Sequence, residues 1–416
     1  MGLTSRAMGR RATRWALLAV LALGTLSAAG GQENEPRLAG LVVRATEGGR
    51  PVDDLGFVDF ELSIGSRPQA LQAVAFVRQN TLERREGPTF LDLPDARHLN
   101  LVFCLTHFTP EVEAVIKDFA LNGLRPGDVV RVVTYSGSYT MSPYALEAKS
   151  REALAQELTA IVRGDVQACT DIYDDILTNL RQMSSGLGGL KSGSSLEMRY
   201  RSGSAQFSEI VNRQIPRYRE SLEKLERLRR FDSLMLRLDS GASKSRAWPG
   251  MNSTLLFHES PLRPELAEDV LTSLYRLFRD NPKLEEDISF ITNLYQTDTT
   301  PDAKSIRDFF GRAENQLFLI DVPVKAEEAG DASLTPVGEA FHSLFSQVAA
   351  ATGGAVESGS DPAASLRDVL EQVGTYYVLF YSPLSAPQDD SFRTVRVGLK
   401  FRQAELRYRE GDYGVK

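Results

Sequence analysis

The hydropathic period of the chain changes twice, which limits the folds open to it more than any other feature. Residues 37–80 alternate apolar and polar side chains in RLAGLVVRAT, FVDFELSIG and ALQAVAFVR, with turn signals at Glu47-Gly48-Gly49 and Ile64-Gly65-Ser66. Alternation of this kind marks strands with one buried face. Residues 81–97 are a polar connector. At residue 98 the alternation stops, and HLNLVFCLT is a near-continuous apolar run, as in strands covered on both faces. After residue 376 alternation returns in TYYVLFYSP, SFRTVRVGLKF and AELRYREGDYG.

The middle of the chain reads as strands and helices in turn. PEVEAVIKDFALNGL has Pro110 at a first helical position after Thr109 and apolar residues at helical spacing. VVRVVTYSG is a second buried strand, and SREALAQELTAIVRG a helix capped by Ser150. Downstream, DISFITNL and QLFLIDVP are predicted strands, and PELAEDVLTSLYRLFRD, KSIRDFFGRA, GEAFHSLFSQVAAATGG and AASLRDVLEQV predicted helices. This order predicts a doubly wound α/β domain with a mostly parallel sheet. Residues 184–204 are rich in Gly and Ser, residues 205–239 carry one long amphipathic stripe from Ile210 to Leu238, and residues 240–263 read as a loop. A helical insertion of about 184–263 follows, its stripe either packing on itself or facing a partner.

The first residues have the plan of a secretory signal peptide. Arg6, Arg10, Arg11 and Arg14 precede an apolar run at 15–26 and small residues at 27–31. The run is short for a bilayer core of roughly 30 Å, which takes about 20 residues. The residues after Arg10-Arg11 match a twin-arginine signal poorly, so general secretion is expected, to the periplasm or beyond. The domain plan is therefore a signal peptide at 1–31, an N-terminal β segment and connector at 32–97, an α/β domain at 98–375, and a C-terminal β segment at 376–416 that pairs with 37–80. No membrane span is expected after signal removal. With 48 basic and 55 acidic residues the net charge is −7, which argues against a nucleic-acid partner. Two cysteines are too few for a disulfide-built scaffold.

Several segments resemble the bacterial von Willebrand factor A-related domain family of secreted proteins. RPVDDLGFVDFELSIGSRPQALQAVAF is similar to the family's opening segment, and YYVLFYSP, SFRTVRVGLKF and REGDYG to its closing one. LVFCLTHFTPE is similar to the first strand and metal loop of an A domain, and TDIYDDIL to its second metal loop. The resemblance covers nearly all of the chain after the leader except residues 184–263. It implies a vWA-like α/β fold, doubly wound, framed by a small β-sandwich-like domain from both chain ends, with its working edge at the carboxyl ends of the strands.

In such a domain a divalent ion is held by Asp-x-Ser-x-Ser, a Thr and a later Asp. This chain has Cys104 at the leading Asp position, Thr106 and Phe108 at the two Ser positions, Thr170 at the Thr, and Asn293 at the final Asp. Both carboxylates are absent, so the resemblance implies a degenerate site and no resident metal. Mg²⁺ or Ca²⁺ would have to rely on Asp171 or Asp298 as substitutes. The resemblance also brings Cys104 and Cys169 to one sheet edge. They stand there either as a disulfide replacing the ion or as two buried thiols.

Signals for catalysis are sparse. The four histidines, His98, His107, His258 and His342, lack metal-ligand spacing. No G-x-S-x-G occurs, Ser221 and Lys224 lie on the charged face of a predicted helix, and GLGGLKS lacks the order of a phosphate loop. No catalytic or cofactor-binding residue is assigned and no enzyme is expected. The expectation is a secreted or periplasmic protein-protein interaction or adhesion module, metal-independent, whose partner is another protein. The alternatives are metal-dependent adhesion through Thr106, Thr170 and Asp171, and an enzyme of unrecognised type.

Overall fold

The computed structural model describes residues 38–79, 81–87, 97–187, 208–242, 252–260, 262–297, 302–312, 315–323, 333–336, 339–382 and 392–413. The expected leader at 1–31, most of the Gly/Ser-rich stretch and Asp298 lie outside them.

Six strands form the central sheet: β1 (His98–Cys104), β2 (Val129–Thr134), β3 (Ser138–Met141), β4 (Asn252–Glu259), β5 (Asn315–Val322) and β6 (Ala355–Glu357). Their order across the sheet is 3-2-1-4-5-6, and every neighbouring pair is parallel except β2 and β3. Side chains alternate between faces along β1. Leu99, Leu101 and Phe103 pack under α1 (Pro110–Asp118), the first part of α2 (Arg151–Leu187) and the helix Pro362–Gly374. Val102 and Cys104 point the other way, toward the helices Ala303–Arg312 and Glu339–Thr352. Burial on both faces explains the unbroken apolar runs.

The insertion is organised differently from the single long helix expected. Its stripe is broken at Arg229-Arg230, between α3 (Ile215–Leu228) and α4 (Phe231–Ala242). Ile210, Ile215, Tyr218, Leu222 and Leu225 pack against Tyr173, Ile176 and Leu180 on the second half of α2. Phe231, Leu234 and Leu238 turn to the sheet instead. The stripe is thus buried within the chain.

Three further expectations are corrected. Residues 252–259, within the expected loop, are β4, the strand beside β1 at the middle of the sheet. DISFITNL is not a strand but part of helix α5 (Pro282–Gln296), because Asn281 caps its first turn by accepting from the Leu284 amide, and Leu284, Ile288 and Ile291 recur at helical spacing. The expected connector also holds a strand, Thr81–Glu86, paired with Leu71–Arg78.

The chain ends meet in two antiparallel sheets. In one, Ala39–Glu47 lies between Tyr376–Tyr381 and Glu405–Tyr408, and in the other Phe60–Ile64 lies between Phe392–Leu399 and Arg67–Gln69. They share a core of Leu41, Val43, Phe60, Leu62, Phe76, Tyr377, Leu379, Val395 and Val397. The Tyr377 hydroxyl donates to the Val52 carbonyl at 2.9 Å and accepts from the Leu55 amide at 3.1 Å, so the loop after the first strand is fixed from the far end of the chain.

Arg44 ties this framework to the α/β layers. Its buried guanidinium donates to the Gln372 and Gly353 carbonyls and to the Gln316 side chain, at 2.6, 3.1 and 2.6 Å, and lies over the Phe318 ring. Burial lowers its pKa to about 10.

Candidate functional site

A sheet ordered 3-2-1-4-5-6 reverses direction between β1 and β4. The crevice outside the carboxyl ends of two such strands is where open α/β sheets hold ligands. Cys104, the last residue of β1, lies in register with His258 of β4. The chain then leaves β1 through Leu105, Thr106, His107 and Phe108, while β4 ends on Glu259.

Glu259 organises this edge. One carboxylate oxygen accepts from the backbone amides of Thr106 and His107 at 2.6 and 3.0 Å. The other is 2.7 Å from His107 Nδ1. The side chain is only 3% exposed. Burial alone would push this carboxyl up, but the His107 ring and the two amides outweigh it and hold it below the ordinary carboxylate range. His107 is fixed on its other side by the edge of the Tyr173 ring, at 4.8 Å between centroids.

Thr106, 2% exposed, joins three elements. Its amide is bound by Glu259, its carbonyl accepts from the Thr170 hydroxyl at 2.8 Å, and its hydroxyl accepts from the Arg229 guanidinium. Arg229 is the C-cap residue of α3, at the break in the insertion. The break therefore delivers a cation to the carboxyl edge of the sheet. Phe108 lies beneath the Arg163 guanidinium, 4.7 Å from the ring centroid.

Of the residues read from the sequence, Cys104, Thr106, Phe108 and Thr170 do gather here, although Thr170 sits inside α2 and not in a loop. Asn293 does not. It is exposed on α5 and supplies nothing to this edge. The acidic group comes from Glu259, at the end of a strand read as loop. The run Thr254-Leu255-Leu256-Phe257 was the available signal, being a short apolar stretch of the same character as that in β1.

Cys104 and Cys169 are both buried, and both are free thiols, so the second of the two expected arrangements is the one present. Burial raises the Cys104 thiol to about 12 against a hydrogen bond from Tyr135, and raises Cys169 to about 11 against the charge of Arg229. Groups held this far above neutrality remain protonated.

The residues do not fit a hydrated dication. Both oxygens of Glu259 are taken up by donors of the protein, and an ion beside Thr106 would face the guanidinium of Arg229, like charge to like charge. Asp171, a possible substitute ligand, is exposed and accepts from Gln167 at 2.7 Å. Among the described residues no group of three or more His, Cys, Asp or Glu is placed to hold a metal, and no helix is long and apolar enough to cross a membrane.

No family model matches the chain, and no curated protein matches it.

Proposed function

We propose that the chain is an exported protein-binding module of the von Willebrand factor A-like kind, which holds its partner at the carboxyl edge of β1 and β4 without a metal ion. The observation that carries this reading is the Arg229–Thr106–Glu259 arrangement. The positive charge that a shared ion would supply is provided by a guanidinium of the chain itself, and the acidic group by Glu259. Parallel strands with helices on both faces, and a switch point at β1 and β4, support the fold half of the proposal. A His–carboxylate pair such as His107 and Glu259 can orient a general base, but the thiols beside it are kept protonated, which favours binding over covalent chemistry.

The test is site-directed photo-crosslinking in the producing cell. A crosslinking residue at exposed Asp171, next to Thr170, should give a discrete protein adduct, whereas one at exposed Val58 on the β framework should not. The Asp171 adduct should persist in EDTA. Loss of the adduct in EDTA, or equal adducts from both positions, would reject the proposal.

A further inference from the structure

At the opposite edge of the sheet, the amino ends of β1 and β2 face a cleft of about 570 Å³ between the α/β layers and the β framework. Six residues stand near one another at β1 spacing from the Glu259 crevice, about 20 Å away along the strand. They are four arginines, Arg78, Arg97, Arg125 and Arg367, and two acids, Asp118 and Glu371.

Three of the arginines are matched. Arg78 pairs with Asp53 and Glu83 outside the cleft, and Arg367 with Asp118. Arg97, whose side chain is 3% exposed, forms a two-pronged pair with buried Asp128 at 2.9 and 2.6 Å and also donates to the Gly123 carbonyl. Asp128 is then fully used, because its second oxygen also accepts from the Arg125 amide. Arg125 forms no ion pair among the described residues, and Arg97 lies close enough that its charge, together with burial, lowers the Arg125 pKa. One nitrogen of each guanidinium, Nη1 in both, is shut off from solvent and meets no acceptor among the described residues.

A buried N–H without an acceptor is destabilising, and more so when it is charged. Two such groups side by side at a cleft, one of them on a residue nine-tenths buried, form an electropositive lining that lacks its counterpart. We propose that this cleft binds a small oxyanion, a phosphate or a carboxylate, through Arg125 with Arg97 behind it. Asp128 holds Arg97 in place. Two carboxylates of the lining oppose entry, exposed Glu371 at the rim and Asp118, which is offset by its pair with Arg367. The inference is independent of the protein-binding proposal.

The experiment measures thermal stability of the full chain in inorganic phosphate and, separately, in citrate, each titrated against chloride at matched ionic strength. A saturating rise in Tm with either ion is expected, and the arm that saturates at lower concentration tells phosphate from carboxylate chemistry. Arg125→Gln should weaken the apparent affinity at least tenfold, and Glu371→Gln should strengthen it. Should Arg125→Gln not fold, the Glu371→Gln titration alone decides, since a rim acid unconnected to a site would leave affinity unchanged. A rise that does not saturate, no rise, or the same response in all three proteins would overturn the proposal.

Discussion

Glu259 at the end of β4 and His107 just beyond β1 are joined at 2.7 Å across the switch point of the sheet, although 152 residues separate them in the chain. The contact, with the bonds from the Thr106 and His107 amides, fixes the turn out of β1.

Replacing the carboxylate by its amide keeps the shape and removes the charge. Glu259→Gln leaves one acceptor oxygen for the two backbone amides and turns an NH₂ group toward His107 Nδ1, which then has to change tautomer to accept from it. A loss of about 1–3 kcal/mol is expected in urea unfolding at pH 7. Because the folded carboxyl titrates below its unfolded value, its contribution is complete above about pH 4.3 and fades as pH falls through the folded value. The variant should therefore show a flatter acid limb than the wild type, and an unchanged limb would show that Glu259 is not the group responsible.

His258 behaves with the opposite chemistry. It is buried in β4, its Nδ1 has no hydrogen-bond partner among the described residues, and burial lowers its pKa to about 4. Unfolded, it binds a proton near pH 6.5, so between there and about pH 4 the unfolded state holds more protons and stability falls with acid. The two values correspond to at most about 3 kcal/mol. His258→Asn should remove that slope, as read by unfolding midpoints at pH 4.5 and 7.5.

The two thiols provide a chemical clock for opening of the site. With Cys104 at about 12 and Cys169 at about 11, alkylation at pH 8 should run at least about 100-fold slower in the native protein than in urea. Both should react after unfolding without reductant. Failure to react there would mean that the pair is oxidised, and rapid native reaction would mean that the edge is open.

Gly353 combines two demands on one residue. Its φ is +77°, and a Cβ would stand 2.7 Å from the Tyr408 backbone, while its carbonyl holds Arg44. Gly353→Ala should lose about 1–3 kcal/mol or more, from strain plus the displaced strand. Circular dichroism melting measures this, with half-buried Gly398→Ala, whose added Cβ would meet open space, as the comparison.

The sequence was readable where one physical signal ruled locally. β1, β2 and β5 were visible as buried apolar runs, and Thr109 with Pro110 marked the start of α1, where the Thr109 hydroxyl does accept from Val112. β4 was not visible because Thr254 to Phe257 are flanked by polar residues, Asn252 and Ser253 before and His258 and Glu259 after, and the partners that satisfy Glu259, the Thr106 and His107 amides, lie far away in the chain. Ile288, Phe290 and Ile291 suggested a strand, but the Asn281 cap and Pro282 committed the segment to helix. That one exchange moved the expected acidic position from Glu259 to Asn293. Arg229 was hidden for a different reason, since nothing in a continuous apolar stripe shows where the helix will break.

The strand that opens the framework, Ala39–Glu47, has its neighbours in Tyr376–Tyr381 and Glu405–Tyr408. A chain delivered amino end first, by ribosome or export channel, must carry that strand with no partner beyond the short pairing to Arg50–Pro51 until almost its whole length has arrived. The α/β layers can assemble while the chain is still incomplete, but the framework can only close last. An unpaired edge is a template for aggregation. Any chain cut short before Tyr376 keeps that edge exposed, so the cell's proteases and chaperones can tell a finished molecule from a fragment by the first strand alone.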